Sequence, residues 1–333
     1  MKQLLISVGI TAMLLSVPLE ATAATFSKLY VFGDSLSDTG NVFNVTGIPP
    51  SPPYAPGRFS NGPIWVDVLA ADLGLNPAPL VSPPGTDFSE GINFAFGGAT
   101  TGLSNTVSED LLGLQEQVFA FGSFFPMGNP DPDALYVVWA GGNDYLPTTS
   151  STFAPFITPD PTIANITQAL NGLYSLGARN FLVANLSDIG GLPQVVNTPL
   201  APFLSQLTIA HNTQLEATLM TLNQTLPGAN FNLLDVNILF QEVIAENQFG
   251  VVDEACVDFT QLQICSQPDE YLFWDILHPT TVAHAQIGTL AINTLDNDDP
   301  TDNPAAVPEP ATVVGLMAIA ALGAGAKGRS RQR

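Results

Sequence analysis

The sequence predicts an α/β domain built on a parallel, doubly wound sheet. Two observations point there. Short, almost continuously apolar runs recur along the chain, and segments of helical character separate them. Three of those runs also end in small and polar residues: Gly33-Asp34-Ser35 after the first, Gly97-Gly98-Ala99-Thr100 after the second, Gly141-Gly142-Asn143-Asp144 after the third. Ligands bind at that end of the strands in an open α/β sheet.

Taken in order, residues 29–32 (Leu-Tyr-Val-Phe) read as a short buried strand. Gly33 then lets the backbone turn without a Cβ penalty. Asp34, Ser35, Ser37, Asp38 and Thr39 crowd polar groups just beyond it. Residues 47–57 are rich in Pro and Gly and form a loop. Residues 63–73 read as a helix, with Pro63 in its first turn, Gly74 past its end, and apolar residues at 65, 66, 69 and 73 on one face. A second Pro-rich loop covers 77–85, and residues 92–96 form the second strand. A helix is expected over 109–121, although Gly113 weakens it. Residues 134–140 form the clearest strand, apolar enough for a central position covered on both faces. A Ser/Thr/Pro loop over 147–161 leads to a helix over 162–176 that Gly177 closes. A strand over 180–185, a long helix over 202–226 and a last core strand over 231–236 follow. Next come a helix over 237–247, an irregular stretch carrying both cysteines, and a final helix over about 280–295.

The two ends read as address labels. Lys2, an apolar run over 4–17 and Ala21-Thr22-Ala23 fit a secretory signal peptide over residues 1–23. Residues 24–296 then form one domain, and 297–306 an acidic linker too polar to pack. In the tail over 307–333, Pro308-Glu309-Pro310 precedes an apolar run over 311–326, and Lys327, Arg329, Arg331 and Arg333 close it. That pattern resembles the PEP-CTERM sorting signal of Gram-negative-type bacteria. The resemblance implies processing by an exosortase, membrane contact through the C-terminal helix beforehand, and a final place in the periplasm, cell surface or extracellular matrix.

The formal net charge of -22 disfavours nucleic acid and anionic lipid as main partners, since only Lys28, Arg58 and Arg179 are basic between residues 24 and 306. Cys256 and Cys265 are the two cysteines. An even count, close spacing and export suggest one local disulfide. No histidine lies within ten residues of the pair, so a metal site is not expected there.

Serine at the end of a strand invites nucleophilic chemistry, which needs a base, an orienting acid and oxyanion donors. Three histidines are available. His211 and His284 fall inside predicted helices. His278 lies in a loop, three residues after Asp275, so one turn can bring that carboxylate to Nδ1 and leave Nε2 free. Gly98 and Asn143 follow two other strands and could join the Ser35 N–H as donors. Position alone does not select them, because Asn185, Ser187 and Asp188 also follow a strand. Asp235 is a rival acid with no histidine nearby in sequence.

Gly33-Asp34-Ser35-Leu36, Gly98, Gly142-Asn143-Asp144 and Asp275-x-x-His278 together resemble the four blocks of the GDSL, or SGNH, hydrolases in order and spacing. The likeness runs from Lys28 to about Leu290 and is nearest the subgroup of plant secreted lipases and bacterial lecithinase-like esterases. It implies a flavodoxin-like three-layer α/β/α sandwich with a five-stranded parallel sheet. It also implies Ser35 as nucleophile, His278 as base, Asp275 as its orienter, and Ser35, Gly98 and Asn143 as oxyanion donors, with Gly97 adjoining Gly98 as a rival. No cofactor is implied. The Gly-x-Ser-x-Gly elbow of α/β-hydrolases is absent. The expected substrate is a lipid-like or simple acyl ester. The alternatives are a carbohydrate esterase that deacetylates exopolysaccharide, and a non-catalytic surface binding protein on the same fold.

Overall fold

Successive side chains on a strand face opposite ways. The strands at the centre of this chain are apolar on both faces, so helices must cover both. The computed structural model describes residues 26–125, 130–259 and 263–297. Within them, β1 (Leu29–Gly33), β2 (Ala78–Pro79), β3 (Gly91–Asn93), β4 (Leu135–Trp139), β5 (Asn180–Ala184) and β6 (Asn230–Leu234) form one sheet in the order β2-β3-β1-β4-β5-β6. Every pairing in it is parallel.

Seven helices accompany the described strands: α1 (Asn41–Thr46), α2 (Trp65–Asp72), α3 (Leu114–Phe124), α4 (Asp160–Leu176), α5 (Ala201–Thr225), α6 (Val236–Ala245) and α7 (Thr281–Asp296). One sheet face buries Leu29, Val31, Val137, Trp139 and Leu182 against α2, α6 and α7. The other buries Tyr30, Phe32, Tyr136, Val138 and Phe181 against α3, α4 and the second half of α5. These are the three layers of an α/β/α sandwich.

The sheet has six strands where five were expected. The extra one, β2, is a two-residue edge strand ending in proline. Proline has no N–H for a ladder, so it is tolerated at an edge, and no apolar run marks so short a strand. The other five lie in the order second, first, third, fourth, fifth, which is the flavodoxin-like arrangement. Regular pairing of β3 stops at Asn93, short of the expected 96, yet the Phe94 and Phe96 N–H groups still donate to Val31 and Gly33 of β1 (2.7 and 3.1 Å).

Helix α3 starts five residues later than the expected 109. Gly113 is its N-cap, not an interior position, and its N–H donates to Glu116 at 3.1 Å. A Cβ at Gly113 would sit 2.4 Å from the carbonyl oxygen of Gly102, so only glycine fits this crossing.

The stretch expected to be irregular is ordered. β7 (Val251–Ala255) pairs in parallel with β10 (Tyr271–Phe273), and β8 (Val257–Asp258) pairs antiparallel with β9 (Gln263–Ile264). Cys256 and Cys265 are bonded, with an S–S distance of 2.02 Å. The strands are two to five residues long and of mixed polarity, so periodicity could not reveal them. Residues 1–23, most of the linker over 297–306 and the tail over 307–333 lie outside the described residues.

Candidate active site

The order of the sheet explains why distant polar residues meet. β1 lies between β3 and β4, so the segments carrying Ser35, Gly98 and Asn143 leave three adjacent strand ends. Gly33, at φ 153°, closes β1 where a Cβ would fall 2.1 Å from the carbonyl oxygen of Trp139. Its N–H and C=O both bond the buried Gln117 amide at 2.8 Å, and the next N–H, of Asp34, donates to Trp139 at 3.3 Å. The turn is fixed on its far side too, because the Ser37 and Asp38 N–H groups donate to the Asp34 carbonyl. Ser35 therefore sits on rigid backbone and is only 9% exposed.

His278 arrives from the other end of the domain, 243 residues away in sequence. Its Nε2 lies 2.8 Å from Ser35 Oγ, and its Nδ1 lies 2.7 Å from Asp275 Oδ2. The loop holding it is built around the carboxylate: Asp275 Oδ1 accepts the Leu277 and His278 N–H groups, each at 2.7 Å. The Trp274 N–H donates back to the His278 carbonyl at 2.7 Å. Burial alone would raise the Asp275 carboxyl. The charge and hydrogen bond of His278, the Tyr54 hydroxyl and the Leu277 N–H outweigh it and hold the group below the ordinary carboxylate range. The arrangement is thus a hydroxyl against an imidazole against an ionised carboxylate, in line for proton transfer.

Asn143 directs its amide at the Ala99 carbonyl (3.1 Å) and, more weakly, at Asp34 Oδ2 (3.4 Å). Gly98 has φ +79°, and its carbonyl is held by Thr106 N–H at 2.8 Å and Thr106 Oγ1 at 3.0 Å. Among the described residues, the Ser35 and Gly98 N–H groups have no acceptor. Asp34 is buried, which pushes its carboxyl up to about 7 despite the Leu36 N–H that it accepts. A cleft of about 570 Å³, open mouth included, lies over this group. Ser35, Asn143 and His278 line it, together with an apolar wall that includes Trp139, Leu186, Leu192 and Phe240. Gly98 is not part of that lining.

Of the rival residues, Ser187 lines the cleft, and Asp235, Asp188 and Thr39 have other partners. Asp235 caps α6 by accepting the Ile238 N–H at 3.0 Å and also holds Asn185 at 2.8 Å. Asp188 caps a short turn and accepts Ser205. Thr39 accepts the Asn93 amide at 3.0 Å, and the Ser37 hydroxyl is buried away from the cleft residues. Among the described residues no cluster of three or more His, Cys, Asp or Glu could hold a metal ion.

His211 and His284 are buried in α5 and α7. His211 Nδ1 pairs with the Tyr145 hydroxyl at 2.8 Å, and His284 Nδ1 faces the Trp65 N–H at 3.4 Å. Burial pushes both imidazoles down to about 3. A folded-state value below the unfolded one contributes stability above about 6.5 that is lost as pH falls toward 3. In His284→Asn, the loss of stability between pH 6.5 and 4.5 should be shallower by about 1.4 kcal/mol per pH unit. Urea unfolding at several pH values reads that slope directly. An unchanged slope would mean that His284 is protonated in the folded protein.

One contact to the site has no counterpart in the sequence reading. The Tyr54 hydroxyl donates to Asp275 Oδ2 at 2.6 Å. Tyr54 is the only aromatic residue of the Pro/Gly-rich loop over 47–57, and that isolation was the one available signal.

Comparison with known proteins gives a consistent result. The model of the GDSL-like lipase/acylhydrolase family matches residues 29–290, and that of the PEP-CTERM protein-sorting motif matches residues 306–332. A GDSL esterase/lipase of Arabidopsis thaliana is 30% identical, over 82% of this chain and 90% of its own length. A GDSL esterase/lipase-like protein of the same plant, described as inactive, is 29% identical over 81% of this chain and 72% of its own length. A phosphatidylcholine-sterol acyltransferase of Aeromonas hydrophila is 27% identical over 82% and 91%.

Proposed function

The chain belongs to the GDSL-like lipase/acylhydrolase family, and from that membership we propose that it is an exported serine ester hydrolase working through Ser35, His278 and Asp275. The observation that carries the reading is the continuous line from Ser35 Oγ to His278 Nε2 and from His278 Nδ1 to Asp275 Oδ2, at 2.8 and 2.7 Å, beside a cleft.

His278 Nε2 takes the Ser35 proton as Oγ attacks the ester carbonyl carbon. Negative charge moves to the carbonyl oxygen, which the Ser35 and Gly98 N–H groups and the Asn143 amide receive. Asn143 gives up its long bond to Asp34 for this. Collapse breaks the ester C–O bond, and the imidazolium returns the proton to the departing alcohol. Water then repeats the sequence on the acyl-enzyme, with His278 as its base, and releases the acid. An alcohol in place of water would make the same site an acyltransferase, the activity for which the Aeromonas hydrophila relative is named.

The apolar wall supports a lipid-like acyl chain over a bare acetyl group, because Leu186, Leu192 and Phe240 give an acyl chain apolar surface to bury against. With p-nitrophenyl esters, kcat/KM should climb from acetate by up to ~4-fold per added methylene over short chains, from about 0.8 kcal/mol per buried methylene. The same preparation is offered an acetylated polysaccharide. A preference for acetate, with acetic acid released from the polysaccharide, would favour the carbohydrate esterase. Labelling of Ser35 by a fluorophosphonate separates both from a binding protein on the same fold, which would stay unlabelled.

Export fits the leader over 1–23, and the disulfide fits an oxidising compartment. The domain over 24–296 would be carried outward and joined by the linker over 297–306 to the sorting segment over 307–333. An exosortase-type enzyme is the partner that the PEP-CTERM motif implies, with membrane contact through the C-terminal run before processing.

A further inference from the structure

Asp275 accepts four hydrogen bonds, and the mechanism above uses only one of them directly. Two N–H groups of its own loop hold Oδ1. On Oδ2, His278 Nδ1 at 2.7 Å shares the oxygen with the Tyr54 hydroxyl at 2.6 Å. We propose that Tyr54 is a positioning residue for the reaction: its hydroxyl fixes the rotation of the Asp275 carboxylate and limits how strongly that carboxylate draws the proton of His278. This inference rests on the assignment of Ser35, His278 and Asp275 made above.

The placement of Tyr54 suits that task. It comes from a different part of the chain, 221 residues before Asp275, so it pins Oδ2 independently of the loop that pins Oδ1. Its ring is held on two sides, stacked on Phe259 (centroids 5.9 Å apart, 11° between planes) and edge-on to Trp274 (6.4 Å, 84°). It packs beside Cys256 and Val257, next to the disulfide. The residue is 8% exposed. Burial, followed by the neighbouring charge of Asp275, pushes the phenol well above its ordinary value. The hydroxyl therefore stays protonated and serves as a donor across the working range.

The chemistry follows from the shared oxygen. A hydrogen bond to the ionised form of a carboxyl favours that form. Tyr54 thus keeps Asp275 charged and lowers its basicity, so the proton between Oδ2 and Nδ1 stays on nitrogen while His278 becomes imidazolium. Without the hydroxyl, the carboxylate is more basic and holds the imidazolium more tightly. Neutral imidazole, the form able to accept the Ser35 proton, then requires higher pH.

The test is the pH profile of kcat/KM for p-nitrophenyl butyrate in the full chain. In Tyr54→Phe the ring stays and only the hydroxyl goes. Its acid limb should move to higher pH by about half a unit to one unit, and the plateau should fall by no more than about tenfold. Incorporation of 3-fluorotyrosine at position 54 strengthens the donor and should move the limb the opposite way. Packing alone cannot produce that reversal, so this second variant keeps the proposal testable even if Tyr54→Phe folds poorly. Limbs that coincide with the wild type in both variants overturn the role of Tyr54. Ser35→Ala is run alongside: if it is inactive while the limbs stay put, only Tyr54 has been misassigned. Retained activity in Ser35→Ala overturns the whole site, Tyr54 included.

Discussion

Replacing Ser35 with alanine is expected to lower kcat by about 10⁶-fold, the scale seen when a serine nucleophile is removed from a triad. The fold should be untouched. The residue is held by backbone bonds of its neighbours, and the only side-chain bond lost is that to His278. His278→Asn should cost about as much, and the Ser35→Ala/His278→Asn double variant hardly more than either, since the two groups act as one unit. Single-turnover kinetics with thermal unfolding on the same samples checks both halves. Additive losses, multiplying in the double variant, would contradict a shared proton transfer. His284→Asn offers a control in a histidine that the structure buries outside the cleft.

The second large effect is expected at Asp275. In Asp275→Asn the side-chain oxygen can still accept the Leu277 and His278 N–H groups, so the loop should keep its shape. The NH2 group then replaces Oδ2 and faces His278 Nδ1. Two donors cannot share that contact, so the imidazole must carry its proton on Nε2, the atom that faces Ser35 Oγ. In that tautomer Nε2 cannot accept the serine proton. A loss of about 10⁴ in kcat follows, the size measured when a triad aspartate is made an amide. A loss below tenfold would show that Asp275 anchors the loop and does not set the tautomer.

Parts of this picture were legible in the sequence because they are written locally. Residues 29–32 and 134–140 are apolar at every position, the pattern of a strand covered on both faces. Asp275 and His278 lie within one turn, so their contact needs no tertiary information. Gly98 and Asn143 were singled out only by the resemblance to the GDSL blocks, and the order of the sheet gives the reason: three strand ends that look unrelated in sequence are neighbours because β1 lies between β3 and β4. What escaped is non-local or weakly patterned. β2 has two residues and no apolar signature. The pairing of β7 with β10 joins two short segments across intervening chain. Tyr54 reaches Asp275 from a loop whose composition says only that it is a loop. Gly113 shows a different failure: helix propensity marked it as a weak interior residue, whereas a steric demand from Gly102 makes it a boundary.

The distance along the chain between Ser35 and His278 also bears on when activity can appear. Contacts of such high order form late, because loop closure must be completed before they give any return. A polypeptide emerging from its N-terminus holds the nucleophile, both neighbouring strand ends and much of the apolar wall well before it holds a base. On the proposed assignment, any nascent, truncated or clipped form that ends before β10 holds the nucleophile without its proton acceptor. Activity therefore waits until nearly the whole domain has been made and has closed on itself.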